Sequence, residues 1–247
     1  MINPYKISEN DDFLTPFWGR VYFPNSLKFL HLLSKFCILF FGGVVCLFPS
    51  TGIADGLGSQ RQIEITKSMV RVDFEKNESF KPNKIERSFW IDQFEVTQKE
   101  FILVMGGNPS FFKGDQRPVE KVTWYDAKKY CEKAGKRLPN ESEWETAIRA
   151  GTSSAYYWQD GNPDKYAWHK GNANKQTHAV GTKKPNAFDI YDMAGNVWEW
   201  TISDHESGGK VVRGGSWRNG VNSLKSSHRI NSLPIHKFHY VGFRCAL

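Results

Sequence analysis

Long apolar runs are scarce in this chain of 247 residues. The most continuous one, Phe36 to Phe48, has thirteen residues, too few to cross a bilayer comfortably. Strong charge of one sign is also lacking. The formal charge is +7, and the lysines and arginines are scattered among acids, so no nucleic acid is expected as a partner. Cysteine is rare: Cys37 and Cys46 fall in the apolar leader, Cys131 and Cys245 in the body. No sequence repeat recurs, which excludes a solenoid or propeller. The glycine-rich "VVRGGSWRNG" lacks the lysine and following helix of a phosphate-binding loop. Nothing near Ser216 in sequence supplies the base and acid that a serine nucleophile needs.

What the first 54 residues do contain is the order of an export signal. Lys28, His31 and Lys35 precede the apolar run, and small residues follow it up to Ala54. We expect residues 1–54 to be a leader, cleaved after Ala54, with an uncleaved membrane anchor as the alternative. The body would then be exported to the periplasm. The cysteine pair left after cleavage suits an oxidising compartment, although two buried free thiols fit the spacing equally well.

The body, residues 60–247, is rich in local signals. Short strands are expected in Gln60 to Asp73, Arg87 to Val96, Val197 to Ile202, Val211 to Gly215 and Val241 to Ala246. Three helices announce themselves through their caps: Thr97 with Glu100, Thr123 ahead of Trp124, and Asn140 with Glu143. On the second, Trp124, Ala127, Cys131 and Ala134 share a face, so Cys131 points inward. On the third, Trp144, Ala147 and Ile148 form the buried stripe and Gly151 ends the helix. After Gly151 periodicity fades, yet eight of the nine tryptophans lie between Trp90 and Trp217. Aromatic plugs of that kind hold irregular loops in a compact domain.

"DMAGNVWE" sets Asp192 and Glu199 around the turn of Gly195 and Asn196. Two carboxylates with the carbonyls of Gly195 and Val197 would make an oxygen-rich set suited to calcium. The alternative is that Asp192 caps the turn and Glu199 joins a surface ion pair. His228, His236 and His239 are candidate ligands for a softer metal, although the i,i+3 offset of "HKFH" does not suit one strand face.

Taken together, "FEVTQKEF", "RPVEKVTWYDAKKYCEKAGKRLPNESEWETAIRAG", "KKPNAFDIYDMAGNVWEW", "VRGGSWRN" and "VGFRCAL" resemble the sulfatase-modifying-factor domain, the family of the formylglycine-generating enzyme. The resemblance runs from about Val70 to Leu247. It implies a compact α+β fold with little regular secondary structure and a core related to C-type lectins. It also implies structural calcium on Asp192, Gly195, Val197 and Glu199, and a disulfide between Cys131 and Cys245. The family's enzymes hold copper with two cysteines shortly after the segment matching "GGSW". Here "RNGVNSLKSSHRINS" has no cysteine, and Asn219 and Leu224 stand in the approximate places. Neither an amide nor a leucine supplies a thiolate, so copper is not expected.

Two functions follow as expectations. The first is a noncatalytic accessory domain that binds an extended peptide or a periplasmic or envelope protein, with Trp198, Ser216 and Trp217 lining the groove. The second is an oxidoreductase that modifies a peptide with nonstandard ligands, iron or another redox metal among them. Its catalytic candidates are His228, as a metal ligand or proton carrier, and Ser216.

Overall fold

The structure, a computed structural model, describes residues 68–73 and 87–247. The leader, its two cysteines and most of the expected strand before Asp73 lie outside these residues.

The described residues open with a two-stranded antiparallel sheet, β1 (Met69–Val72) against β2 (Phe89–Asp92). Three helices follow: α1 (Gln98–Met105), α2 (Trp124–Lys133) and α3 (Glu141–Arg149). Each starts with a reciprocal capping box, Thr97 with Glu100, Thr123 with Asp126 and Asn140 with Glu143. The side chains thereby satisfy backbone donors that a short helix would otherwise leave open. At the end of α3, Ala150 takes up the left-handed cap one residue before the expected Gly151. Gly151 also has a positive φ, so the chain leaves the helix through two such residues.

The second sheet has the order β5-β4-β3-β6, with β3 (Trp198–Asp204), β4 (Lys210–Arg213), β5 (Arg229–Ser232) and β6 (Val241–Gly242). Strands β3, β4 and β5 pair antiparallel, whereas β6 runs parallel to β3, with Trp198 opposite Val241 and Glu199 opposite Gly242. The strand expected from Val241 to Ala246 is therefore only two residues long in this sheet. The rest of it turns to the first sheet, where Ala246 bridges both Ile91 and Arg137 and Trp90 exchanges backbone hydrogen bonds with Leu247.

Successive residues of β3 face opposite ways, and two hydrophobic clusters form accordingly. Trp198 and Trp200 join Phe101, Trp124, Tyr130, Leu138 and Phe243. Trp144, Ile148, Ile190, Met193 and Leu224 belong to the other cluster, and Glu199 turns toward its Trp144. Cys131 of α2 and Cys245 form a disulfide across 114 positions, with Cα atoms 5.7 Å apart. It ties α2 to the chain just beyond β6.

Candidate functional site

Two adjoining polar centres lie on opposite faces of β3. The first is buried. Glu199 accepts three hydrogen bonds of 2.8–3.0 Å from Arg244, two from Nε to its two oxygens and one from Nη2 to Oε1. Its Oε2 also accepts from Trp144 Nε1 at 2.7 Å. Arg244 further donates to the carbonyls of Asp92, Gln93 and Tyr191. Both members of the ion pair are almost wholly buried, which corrects the alternative of a surface pair for Glu199. Glu95, expected within the strand from Arg87 to Val96, comes to the same place. It accepts from Asn196 Nδ2 at 2.6 Å and from the Val197 amide at 3.1 Å.

The turn that gathers these groups depends on Gly195. Its φ is +87°, and an added Cβ would lie 2.3 Å from the Trp168 carbonyl oxygen. Asp192 uses Oδ2 to accept from the Gly181 amide at 2.6 Å, instead of capping its own turn, while its buried Oδ1 has no partner. Burial pushes the Asp192 carboxyl up to about 6, against the pull of the Gly181 amide and Arg244. Burial, and then the charges of Asp192 and Glu199, push Glu95 well above the ordinary range. Three buried carboxylates thus share one guanidinium, a balance that favours either bound protons or an added cation. The unpartnered Asp192 oxygen and the excess acid fit calcium. Glu199, already engaged by Arg244 and Trp144, is the least available of the expected ligands.

The second centre lies on the Trp198 face of β3. Gly215 lets the chain turn beneath it: φ is +78°, and a Cβ would meet Leu224 Cδ2 at 2.6 Å and the Ser223 carbonyl oxygen at 2.8 Å. We expect Gly215→Ala to lose more than about 2 kcal/mol, from left-handed strain plus overpacking. Gly107, which faces open space, provides the control in urea unfolding. The turn carries Ser216 and Trp217 to Asn219. Ser216 Oγ donates to Asn219 Oδ1 at 2.6 Å, and Trp198 Nε1 donates to the same oxygen at 3.0 Å. Ser216 and Trp198 are buried and Asn219 is half-buried. Trp217 donates from Nε1 to the His239 carbonyl at 3.2 Å, and its ring meets Phe112 edge-on.

The structure brings Trp198, Ser216 and Asn219 together, with the His228 ring 5.7 Å from that of Trp198. It does not bring the three histidines together. His239 packs with Phe111, Phe112 and Trp217, and His236 neighbours Ser232 and Phe238. Among the described residues no group of three or more His, Cys, Asp or Glu side chains could hold a metal, so a calcium ion at Asp192 would need the backbone carbonyls of Gly195 and Val197 among its ligands. The same absence corrects the candidate soft-metal cluster: His228 precedes β5 and sits by Trp198, whereas His236 and His239 follow β5 and pack against other aromatic rings. At the two places where thiolates were implied, Asn219 is hydrogen-bonded and Leu224 is fully buried. These residues do not fit copper.

A family model for the sulfatase-modifying factor enzyme 1-like domain matches residues 59–247. The chain belongs to this family. It is 34% identical over 204 residues to the chaperone protein LppX of Paenibacillus barcinonensis, covering 57% of this chain and 73% of that one. The inactive C-alpha-formylglycine-generating enzyme 2 of Bos taurus is 36% identical over 151 residues, covering 52% of this chain and 50% of that protein. The formylglycine-generating enzyme of Streptomyces coelicolor is 32% identical over 165 residues, with 52% of each chain covered. The match therefore spans about half the length of these last two relatives. Among solved structures, Treponema denticola variable protein 1 shares 27% identity and a TM-score of 0.60, covering 72% of this chain and 94% of that one. The fold is thus the α+β, C-type-lectin-like arrangement of this family, with few helices and a small curled sheet.

Proposed function

We propose that this member of the family is an exported, noncatalytic recognition domain, an accessory or maturation factor that holds an extended peptide or an envelope protein beside Trp198 and Trp217. One observation carries the reading. The family domain spans residues 59–247, while the two thiolate places hold a hydrogen-bonded carboxamide and a buried leucine. Aromatic walls and fixed polar groups support recognition without a reactive group. The bovine relative's name, inactive, and the name chaperone protein for the Paenibacillus relative agree with this reading. Export is proposed from the leader, and the disulfide is compatible with it. N-terminal sequencing of the protein recovered from the cell envelope should begin at Asp55. An intact leader would favour the anchor instead.

The test is the metal content and oxygen use of the purified protein. We expect no stoichiometric copper or iron, and no oxygen consumption with candidate peptides. Stoichiometric iron or copper that disappears in His228→Ala would instead establish the oxidoreductase.

Calcium belongs to the proposal as a structural ion. Asp192 would anchor it, with the carbonyls of Gly195 and Val197 and a share of Glu199. Bound there, it would supply positive charge to a buried site with excess carboxylate. A ligand at a hundredfold excess over its Kd stabilises by about 2.7 kcal/mol, which corresponds to roughly 5–10 °C in a domain of this size. Calcium should raise the melting temperature by that order at pH 7.5. The gain should shrink at pH 5, because Asp192, pushed up to about 6, then carries a proton that the cation must displace. Asp192→Asn should abolish the response. An unchanged wild-type melting temperature in millimolar calcium would exclude the site.

A further inference from the structure

We propose that the side-chain amide of Asn219 is the hydrogen-bond donor that contacts a backbone carbonyl of the bound peptide. This rests on the peptide-binding reading above and adds the atom that makes the contact. Indole nitrogen only donates, so the Asn219 atom 3.0 Å from Trp198 Nε1 must be the carboxamide oxygen. Ser216 Oγ donates to the same oxygen, filling its second acceptor direction. The orientation of the amide is thereby fixed, and Nδ2 faces the other way. Nδ2 has no partner among the described residues and is not among the buried unpartnered atoms, while Asn219 as a whole is half-buried.

The backbone of Asn219 is held as firmly as its side chain. Its amide donates to the Ser216 carbonyl at 3.0 Å, and its own carbonyl accepts from the Lys170 amide at 2.9 Å. A donor fixed in this way loses little conformational freedom when a ligand arrives. Ser216 and Trp198 are then positioning residues, and the Ser216 hydroxyl is engaged, not poised as a nucleophile.

Exposed cations stand near Asn219, Lys170, Arg218 and Lys225 among them, but the donor itself is an uncharged amide. Arg213 is bonded to Glu141 and Glu145, and the Arg218 guanidinium lies 4.5 Å from the centre of the Tyr240 ring. His228, beside Trp198, is pushed down from its ordinary value by burial and then by Arg213 and Lys225, so it is neutral at pH 7. Lys225 is the remaining exposed cation acting on it. A backbone carbonyl suits an uncharged amide donor in this setting better than a carboxylate does, because a carboxylate would exchange strong hydration for a neutral partner.

The full chain, immobilised, is exposed to two pools of random octapeptides acetylated at the N-terminus, one amidated at the C-terminus and the other with a free carboxylate. Retained peptides are identified by mass spectrometry, resynthesised and titrated by calorimetry. We expect the amidated pool to yield binders whose Kd rises at least tenfold for Asn219→Leu. Asn219→Asp, nearly isosteric but unable to donate, should show the same loss and keeps the test valid if the leucine variant misfolds. Ser216→Ala should weaken binding a few-fold through a looser carboxamide, and Ser216→Thr should restore it. Binders that keep their affinity for both Asn219 variants would overturn this contact and leave peptide binding standing. Retention from the free-carboxylate pool alone would overturn the assignment to a backbone carbonyl. Retention from neither pool would overturn the peptide-binding reading itself, and this contact with it.

Discussion

Arg244→Met is expected to destabilise the protein by about 3–5 kcal/mol, the range for removing one member of a buried ion pair. The guanidinium is fully buried, bonded to both Glu199 oxygens and to three carbonyls. Its loss leaves Glu199 facing Glu95 and Asp192 with no cation among the described residues bonded to any of the three. Adding Glu199→Gln to Arg244→Met should recover part of the loss, because a neutral amide costs less to bury than an unpaired carboxylate. Urea unfolding in chelator, to remove any calcium, measures both. A loss under about 1 kcal/mol for the single variant would mean that the pair does not organise this centre.

Replacing the disulfide by alanines at Cys131 and Cys245 is expected to cost about 2–5 kcal/mol. The bond closes a loop across 114 positions, long enough for chain entropy to place the effect near the upper end of that range. Both sulfurs are fully buried among Phe101, Tyr130 and Phe243, so the replacement also leaves a small packing defect. Denaturation of the wild type with and without reductant should reproduce the difference. Folded protein should resist reductant until urea begins to open it. Equal midpoints with and without reductant would show that the loop is already constrained by other means.

The helices were legible because their signals are local. Each cap and its partner lie three residues apart, and the inward face of Cys131 follows from helical periodicity alone. Its pairing with Cys245 came only from the family resemblance. Strand β5 gave no comparable signal. Its residues, "RINS", neither alternate in polarity nor belong to an apolar run, and they become a strand by pairing with β4. The end of the chain misled for the related reason that Phe243 to Leu247 is extended but pairs with β2 and Arg137 instead of continuing β6.

The site was legible in part. Asp192, Glu199 and Gly195 carry a compact turn motif, yet Glu95 meets Val197 across 102 positions, and nothing near Glu95 in sequence foretells that meeting. Arg244 could be quoted as part of "VGFRCAL", but its role depends on the parallel placement of β6 beside β3. Asn219 was visible only as a missing thiol. Its place as a fixed donor depends on Ser216, three residues away, and on Trp198, which the fold brings from 21 positions away. Trp198 and Ser216 were singled out as groove residues, and the structure shows them turned onto Asn219.

The most direct measurement combines the full chain with copper, oxygen and a cysteine-containing sulfatase-type peptide, followed by hydrazide trapping of any aldehyde. A carboxamide at Asn219 in place of a thiol predicts a peptide cysteine that stays unmodified over many equivalents of protein. Repeated conversion of that cysteine to a trapped aldehyde, dependent on copper, would contradict it.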